Sequence, residues 1–254
     1  MIVFGFHAVE IMLEEGKKIF SLHMFARSGG DRMQKLKLLA QKHKVQCREY
    51  PVNERARFEA EFRKQGGAAE ELESSQGVFA HIPDFEYKEF AELLLEAKEK
   101  EQYPLLVFLD SVTDPQNIGS ILRSGAFFGI AGLVLPEHRS APITATAMKI
   151  SSGGFAHVPV ARVTNLAQAL ELAKESGFWV MGLSEHATET FDTARLDAPL
   201  ALVIGNEESG LRPSTIKNCD YTVSLPSHGV LKSLNAAVAT AVTLTLVRER
   251  QKRL

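Results

Sequence analysis

Leu200-Ala201-Leu202-Val203-Ile204-Gly205-Asn206-Glu207-Glu208-Ser209-Gly210 and, after a polar bridge, Tyr221-Thr222-Val223-Ser224-Leu225-Pro226-Ser227-His228-Gly229-Val230-Leu231-Lys232-Ser233-Leu234-Asn235 are the segments that decide the fold. Residues 200–204 and 221–225 are short apolar runs with the length and composition of buried strands. Each runs into a loop of Gly, Asn, Ser and Pro, residues that accept unusual backbone angles and let a ligand approach the main chain. In open α/β sheets, ligands sit beyond the carboxyl ends of strands. Loops 205–210 and 226–233 therefore mark the place for a small-molecule pocket.

Two familiar nucleotide loops fail here. Gly205 and Gly210 have the spacing of a phosphate loop, but Leu211 and Arg212 stand where Lys and Ser or Thr are required. No Gly-x-Gly-x-x-Gly occurs in the chain, so the dinucleotide fingerprint is missing too. The pocket is not an ordinary Rossmann one.

Upstream, strands and helices alternate. Strands are expected at 105–110, 133–135, 158–163 and 178–183, with helices at 117–128, 143–152 and 166–175 and a last helix from 233 to about 250. Gly129 closes the first of these helices and Gly153-Gly154 the second. Such alternation predicts an α/β fold, a parallel sheet with helices on both faces. Residues 1–82 form a smaller α/β unit with helices at 7–14, 31–43 (Asp31 as cap) and 53–64, and strands at 19–26, 45–50 and 77–82. A charged helical linker at 83–103 leads to a large domain at 104–254.

With 254 residues, 45% hydrophobic and 24% charged, the chain has the composition of a soluble globular protein. No apolar run reaches a membrane span, the start lacks a secretory signal's basic front, and Cys47 and Cys219 lack metal-ligand spacing. A cytoplasmic protein with reduced thiols, no membrane association and no metal is expected. The net charge of −2 hides an asymmetry: residues 1–50 carry nine Lys/Arg against five Asp/Glu, residues 51–101 seven against thirteen. The basic first segment suits either phosphate contacts or a solvated helix face.

Asp110-Ser111-Val112-Thr113-Asp114-Pro115-Gln116-Asn117 ends a strand and opens a helix, with Asn117 placed as its cap. Ile118, Ile121, Leu122 and Ala126 form the expected buried stripe; Gln116, Ser120, Arg123 and Phe127 share a neighbouring one. Asp110-x-x-x-Asp114-Pro115-Gln116-Asn117-Ile118-Gly119-x-Ile121-Leu122-Arg123-Ser124 resembles the first motif of the SpoU/TrmH-type RNA 2′-O-ribose methyltransferases. Leu202-Val203-Ile204-Gly205-Asn206-Glu207-x-x-Gly210-Leu211 is similar to their second, and Leu225-Pro226-x-x-Gly229-x-x-x-Ser233-Leu234-Asn235 to their third. Gly5-Phe6-His7-Ala8-Val9 and Gln76-Gly77-Val78 resemble the small ribosomal-protein-like substrate-binding domain of many members.

The resemblance implies a SPOUT fold with a C-terminal trefoil knot, S-adenosylmethionine as methyl donor, an RNA substrate and a homodimer. It makes Gly205, Leu225 and Leu234 cofactor-contacting positions, and Asn117, Arg123, Glu207, Ser233 and Asn235 catalytic-site positions. Arg139-Ser140-Ala141-Pro142 and the small domain fit best the bacterial large-subunit rRNA guanosine subgroup. A tRNA enzyme of the same family, or a non-catalytic knotted RNA-binding protein, is the alternative. The chain departs from the pattern at Ser227, where many relatives carry Met, and at Ser75, where His precedes Gln-Gly.

Methyl transfer to a ribose hydroxyl requires alignment with the sulfonium methyl and removal of one proton. The leaving group is already cationic, so no metal is required. Arg123 is the family's base, but a guanidinium is a poor base and an excellent bidentate clamp for phosphate, so both roles stand. Glu207 can orient Arg123 or a substrate group, and Ser233 or Asn235 can cap the last helix. His228 reads as an exposed loop histidine.

Overall fold

A computed structural model describes residues 1–25, 30–191, 193–231 and 233–252. The chain divides into two compact units, residues 1–86 with 143–156, and residues 87–142 with 157–254.

The first unit holds a four-stranded sheet of β1 (Ile2–Phe4), β2 (Ser21–Phe25), β3 (Gln46–Tyr50) and β4 (Val78–His81), in the order β1-β4-β2-β3. β4 pairs antiparallel with β1 and β2, and β2 pairs parallel with β3. Helices α1 (Phe6–Glu14), α2 (Asp31–Lys42) and α3 (Arg55–Lys64) accompany the sheet. An aromatic core fills it: Phe4, Phe58, Phe62 and Phe79 are buried, with edge-on or tilted ring contacts at 5.3–5.8 Å. β1 has no counterpart among the expected strands, because three residues are too few to show a period. Gly30 rather than Asp31 holds the N-cap of α2. The expected strand through Ala26 stops at Phe25, and Ala26 lies outside the described residues.

At the centre of this core lies a histidine. His23 is 3% exposed, stacks on Phe79 at 4.4 Å, and shares hydrogen bonds of 2.9 Å with Tyr50 Oη through Nδ1 and Ser21 Oγ through Nε2. Burial lowers its pKa to about 4.

The second unit is built on six strands, β5 (Leu105–Asp110), β6 (Gly132–Pro136), β7 (Val160–Val163), β8 (Trp179–Leu183), β9 (Leu200–Gly205) and β10 (Tyr221–Val223). Their order is β10-β8-β9-β5-β6-β7, and every pairing is parallel. Helices α4 (Phe90–Lys100), α5 (Pro115–Phe128), α6 (Ala145–Ile150), α7 (Gly154–His157), α8 (Leu166–Glu175), α9 (Pro213–Ile216) and α10 (Ala236–Gln251) complete the chain, with α6 in the first unit. Leu93 and Leu94 of α4 and Leu166 and Leu170 of α8 join Leu106, Phe108, Ala201 and Val203 in one buried cluster. Leu105, Val107 and Leu109, of opposite parity, are equally buried, so both faces of β5 are covered. α5 and α10 pack against each other. Among the described residues no helix is long and apolar enough to cross a membrane.

Three departures from the expected elements have a local cause. The helix at 143–152 shortens to α6 because Thr144 caps it, accepting from Ala147 N at 3.2 Å. The strand at 221–225 ends at Val223, where Ser224 N turns to Glu189 O at 3.0 Å. On α5 the buried stripe uses Gly125, packed on Ile130, while Ala126 is half-buried.

Two predictions follow from burial. Unfolded chain takes up a proton on His23 below pH 6.5 that the folded unit refuses until about pH 4. Stability of the first unit should therefore fall by up to about 3 kcal/mol between these pH values. The protection factors of the β2 amides, corrected for the intrinsic pH dependence of exchange, should fall accordingly, and His23→Phe should flatten the trend; equal pH dependence in both proteins would refute it. On α10, buried Thr243 Oγ1 has no hydrogen-bond partner among the described residues. Thr243→Val should raise the unfolding free energy by about 1 kcal/mol.

Candidate functional site

The site forms where β5 and β9, neighbours in the sheet with Asp110 opposite Gly205, release their loops. β5 is apolar until its last residue, and Asp110 is 0% exposed. Its carboxylate accepts from Arg212 Nε at 2.5 Å, Arg212 N at 3.0 Å and Ser111 Oγ at 3.2 Å. This charge pair fastens the loop after β9 to the end of β5. A charge closing an otherwise apolar buried strand demands such a partner, and that signal marks Asp110 in the sequence. Nothing there names Arg212 as the partner.

Asp114 caps α5, accepting from Gln116 N at 2.8 Å, and Pro115 occupies the first turn. The expectation that Asn117 is the cap is thereby corrected. Relieved of that duty, Asn117 is 8% exposed and serves as a junction. Its Nδ2 donates to Glu207 Oε1, and its Oδ1 accepts from Asn235 Nδ2 at 2.9 Å. Asn235 in turn caps α10, with Oδ1 accepting from Ala237 N at 2.9 Å and Val238 N at 3.3 Å. Glu207 Oε2 accepts from Asn206 Nδ2 at 3.3 Å. Asn117, Glu207 and Asn235, from three sequence-distant segments, thus share one hydrogen-bonded cluster.

The remaining expected positions fall differently. Ser233 lies before α10 and is exposed, so it is not a helix cap. Arg123 is exposed on α5 and, among the described residues, makes no ion pair; Glu207 is bonded to Asn117 and Asn206 instead. His228 is exposed. Ser227 Oγ donates to Leu231 O at 2.6 Å, closing a turn in the last loop. Ser75 is buried and likewise structural, donating to Leu72 O at 2.6 Å and accepting from Gly77 N at 3.2 Å.

Beside the cluster lies a cavity of about 290 Å3, lined by residues 183–186, 204–211, 225–227 and 233–234 together with Ile216, Leu231, Ala236 and Ala239. Gly205, Leu225, Leu234 and Ser233 all face it. A Cβ at Gly205 would stand 2.3 Å from the Gly210 carbonyl carbon, so only glycine permits the loop to fold back there. Apolar Ile204, Leu211 and Leu225 are set among backbone groups and the carboxylates of Glu185, Glu207 and Glu208. That combination suits a ligand with an apolar planar part and a positive charge. Among the described residues, no cluster of His, Cys, Asp and Glu could hold a metal ion. Burial pushes the Cys219 thiol up to about 12, which leaves it unreactive.

A parallel α/β sheet with a ligand cavity at the carboxyl ends of its strands is the class that fold and site define. The profile of the SpoU rRNA Methylase family matches residues 104–245, and the chain belongs to that family. An uncharacterized tRNA/rRNA methyltransferase of Synechocystis sp. is 44% identical over 169 residues, 66% of this chain and 44% of that protein, so the match spans less than half of that relative. A Bacillus subtilis protein, YacO, named for the TrmH family of tRNA/rRNA methyltransferases, is 36% identical over 242 residues, 95% of this chain and 92% of that one. The SpoU methyltransferase AviRb from Streptomyces viridochromogenes, solved in complex with the cofactor AdoMet, shares the fold with a TM-score of 0.77 at 22% identity, over 100% of this chain and 91% of that one.

The Asp110–Arg212 pair generates a prediction. Arg212→Leu leaves a buried carboxylate without its cation and should lower the unfolding free energy by about 3 kcal/mol. Denaturant unfolding of the second unit measures it, and a change below about 1 kcal/mol would mean that the pair does not fasten the loop.

Proposed function

We propose that the chain transfers a methyl group from S-adenosylmethionine to a ribose 2′-hydroxyl of RNA, a guanosine of large-subunit rRNA being the favoured target. The observation that carries this reading is the Asn117–Glu207–Asn235 cluster at the rim of a cavity lined by the loops of the second and third motifs. The apolar and acidic lining fits the adenine ring and the cationic end of the methyl donor. Gly205, Leu225 and Leu234 would hold that cofactor, largely through backbone. When bound, it supplies an electrophilic methyl on a sulfonium that departs as a neutral thioether. The trefoil knot belongs to the same reading, supported by two C-terminal loops that line one cavity.

The chain's own residues supply position. Arg123, exposed and unpaired among the described residues, is available to grip an RNA phosphate with two parallel hydrogen bonds. A guanidinium stays charged in proteins, so the clamp is the easier chemistry, and the hydroxyl proton passes to the phosphate and water. Glu207, held from both sides by amides, presents a fixed acceptor to the incoming nucleotide. Ser233, on the cavity wall, offers a hydroxyl to the same nucleotide. The basic excess of residues 1–50 favours residues 1–82 as the RNA-holding module, with residues 104–254 as the transferase domain. A homodimer fits the exposed apolar residues of α5 and α10: Phe127 is 83% and Val238 49% exposed.

Target choice separates the rRNA reading from a tRNA one, and both are tested with the same cofactor. Calorimetry should give binding of S-adenosylhomocysteine without added metal and none of NADH; the reverse pattern would sink the reading. Arg123→Ala should lower the single-turnover methylation rate by about 100-fold and weaken RNA binding. Arg123→Lys should bind RNA nearly as well but react slowly, at a rate that does not recover as pH rises. Recovery at high pH would make residue 123 a base rather than a clamp, since lysine is the more easily deprotonated group.

A further inference from the structure

We infer that Asn206 is a positioning residue of this site, its side-chain amide fixing the plane of the Glu207 carboxylate. The kinetic part of the inference rests on the proposed methyl transfer; the structural part does not.

Asn206 begins a tight loop closed by its own backbone, with Asn206 N donating to Gly210 O at 3.1 Å and Gly210 N to Asn206 O at 2.9 Å. Inside that loop Oδ1 accepts from Glu208 N at 3.0 Å, Ser209 N at 3.2 Å and Ser209 Oγ at 3.3 Å. Two backbone N–H groups cannot face an NH2 group, so the orientation of the amide is fixed by chemistry. Nδ2 must then be the end turned outward. It meets two acceptors, Ser111 O at 3.2 Å and Glu207 Oε2 at 3.3 Å. Both donors of the amide are used and its acceptor is saturated.

Glu207 therefore has one amide on each oxygen, Asn117 Nδ2 on Oε1 and Asn206 Nδ2 on Oε2. Donors on both oxygens define a plane where one donor would leave a hinge. Ser111, held by the same Nδ2, sits at φ +64° in the loop that opens α5, so Asn206 also ties that strained turn to the loop after β9. Few side chains can do both jobs. Aspartate keeps the accepting half and loses the donor; serine keeps a short acceptor only; glutamine is one methylene too long for the turn.

Asn206→Asp isolates the donor half. It leaves the loop acceptor in place, but sets a carboxylate oxygen against Ser111 O and Glu207. Glu207 then loses the donor on Oε2 and meets a like charge there, so only Asn117 still holds its carboxylate. Other ionisable groups on the cavity wall are Glu185, His186 and Glu208. Carbon-13 relaxation of glutamate-labelled protein, with the Glu207 carboxyl assigned through Glu207→Gln, should show that carboxyl about 3-fold more mobile in Asn206→Asp than in wild type. At saturating RNA, the single-turnover rate should fall about 30-fold, with KM for RNA and affinity for S-adenosylhomocysteine within about 3-fold of wild type. Asn206→Ser should slow transfer and free the Glu207 carboxyl in the same way, and it carries the test if the aspartate variant does not fold.

Unchanged mobility of the Glu207 carboxyl, or greater mobility with a wild-type rate, overturns the inference. So does a parallel loss of rate, cofactor affinity and melting temperature in both variants, which would reduce Asn206 to loop closure. Should wild-type protein methylate no RNA at all, the proposed function falls, while the relaxation measurement still decides whether Asn206 holds Glu207.

Discussion

The amide of Asn117 is the joint on which this site depends. One side chain gives a hydrogen bond to Glu207, 90 residues away in sequence, and receives one from Asn235, 118 residues away. The three side chains come from the loop after β9, from the first turn of α5 and from the residue that caps α10, and only the second of these lies in regular secondary structure. Bringing them together costs conformational entropy, which apolar burial along β5 and β9 offsets. Asn117 can act this way because Asp114 has taken over the capping of α5. The division of labour between two polar residues three positions apart is what frees an amide for the site.

Behind that joint, two further constraints hold the loop after β9. A buried carboxylate at Asp110 draws Arg212 back onto the end of β5, and the absence of a side chain at Gly205 lets the loop close within 2.3 Å of where a Cβ would sit. The charge is costly to bury and is tolerated because its hydrogen bonds are all made. The glycine is required by the loop's own geometry before any ligand is considered. A cofactor that uses backbone groups there would find them already in place.

Much of this was legible in the residues. Strand–helix alternation with apolar strands forecast the parallel sheet, and the resemblance to known motifs singled out Asn117, Glu207 and Asn235, which the structure joins by hydrogen bonds. What escaped was whatever depends on which of two neighbours wins. Asp114 and Asn117 are both good caps, and only the proline after Asp114 tips the choice. Ser233 and Asn235 compete likewise at α10, where the residue adjoining the first turn prevails. Arg212, Asn206 and β1 left weaker traces: a partner chosen in three dimensions, an amide whose two ends act differently, and a strand too short for a pattern. Of the two roles open to Glu207, orienting Arg123 or a substrate group, the first does not match its hydrogen bonds, which go to Asn117 and Asn206 while α5 carries Arg123 on its exposed side.

Ribose methylation is the central claim, and alkali tests it most directly. A ribose bearing a 2′-O-methyl group cannot assist cleavage of its own phosphodiester, so the modified nucleotide survives hydrolysis as part of a dinucleotide. The protein should be incubated with S-adenosylmethionine carrying a labelled methyl group and with unmodified large-subunit rRNA or tRNA, and the RNA then hydrolysed. The account predicts label in alkali-resistant dinucleotides, with rRNA the better substrate. Label confined to mononucleotides would mean methylation of a base and would contradict it.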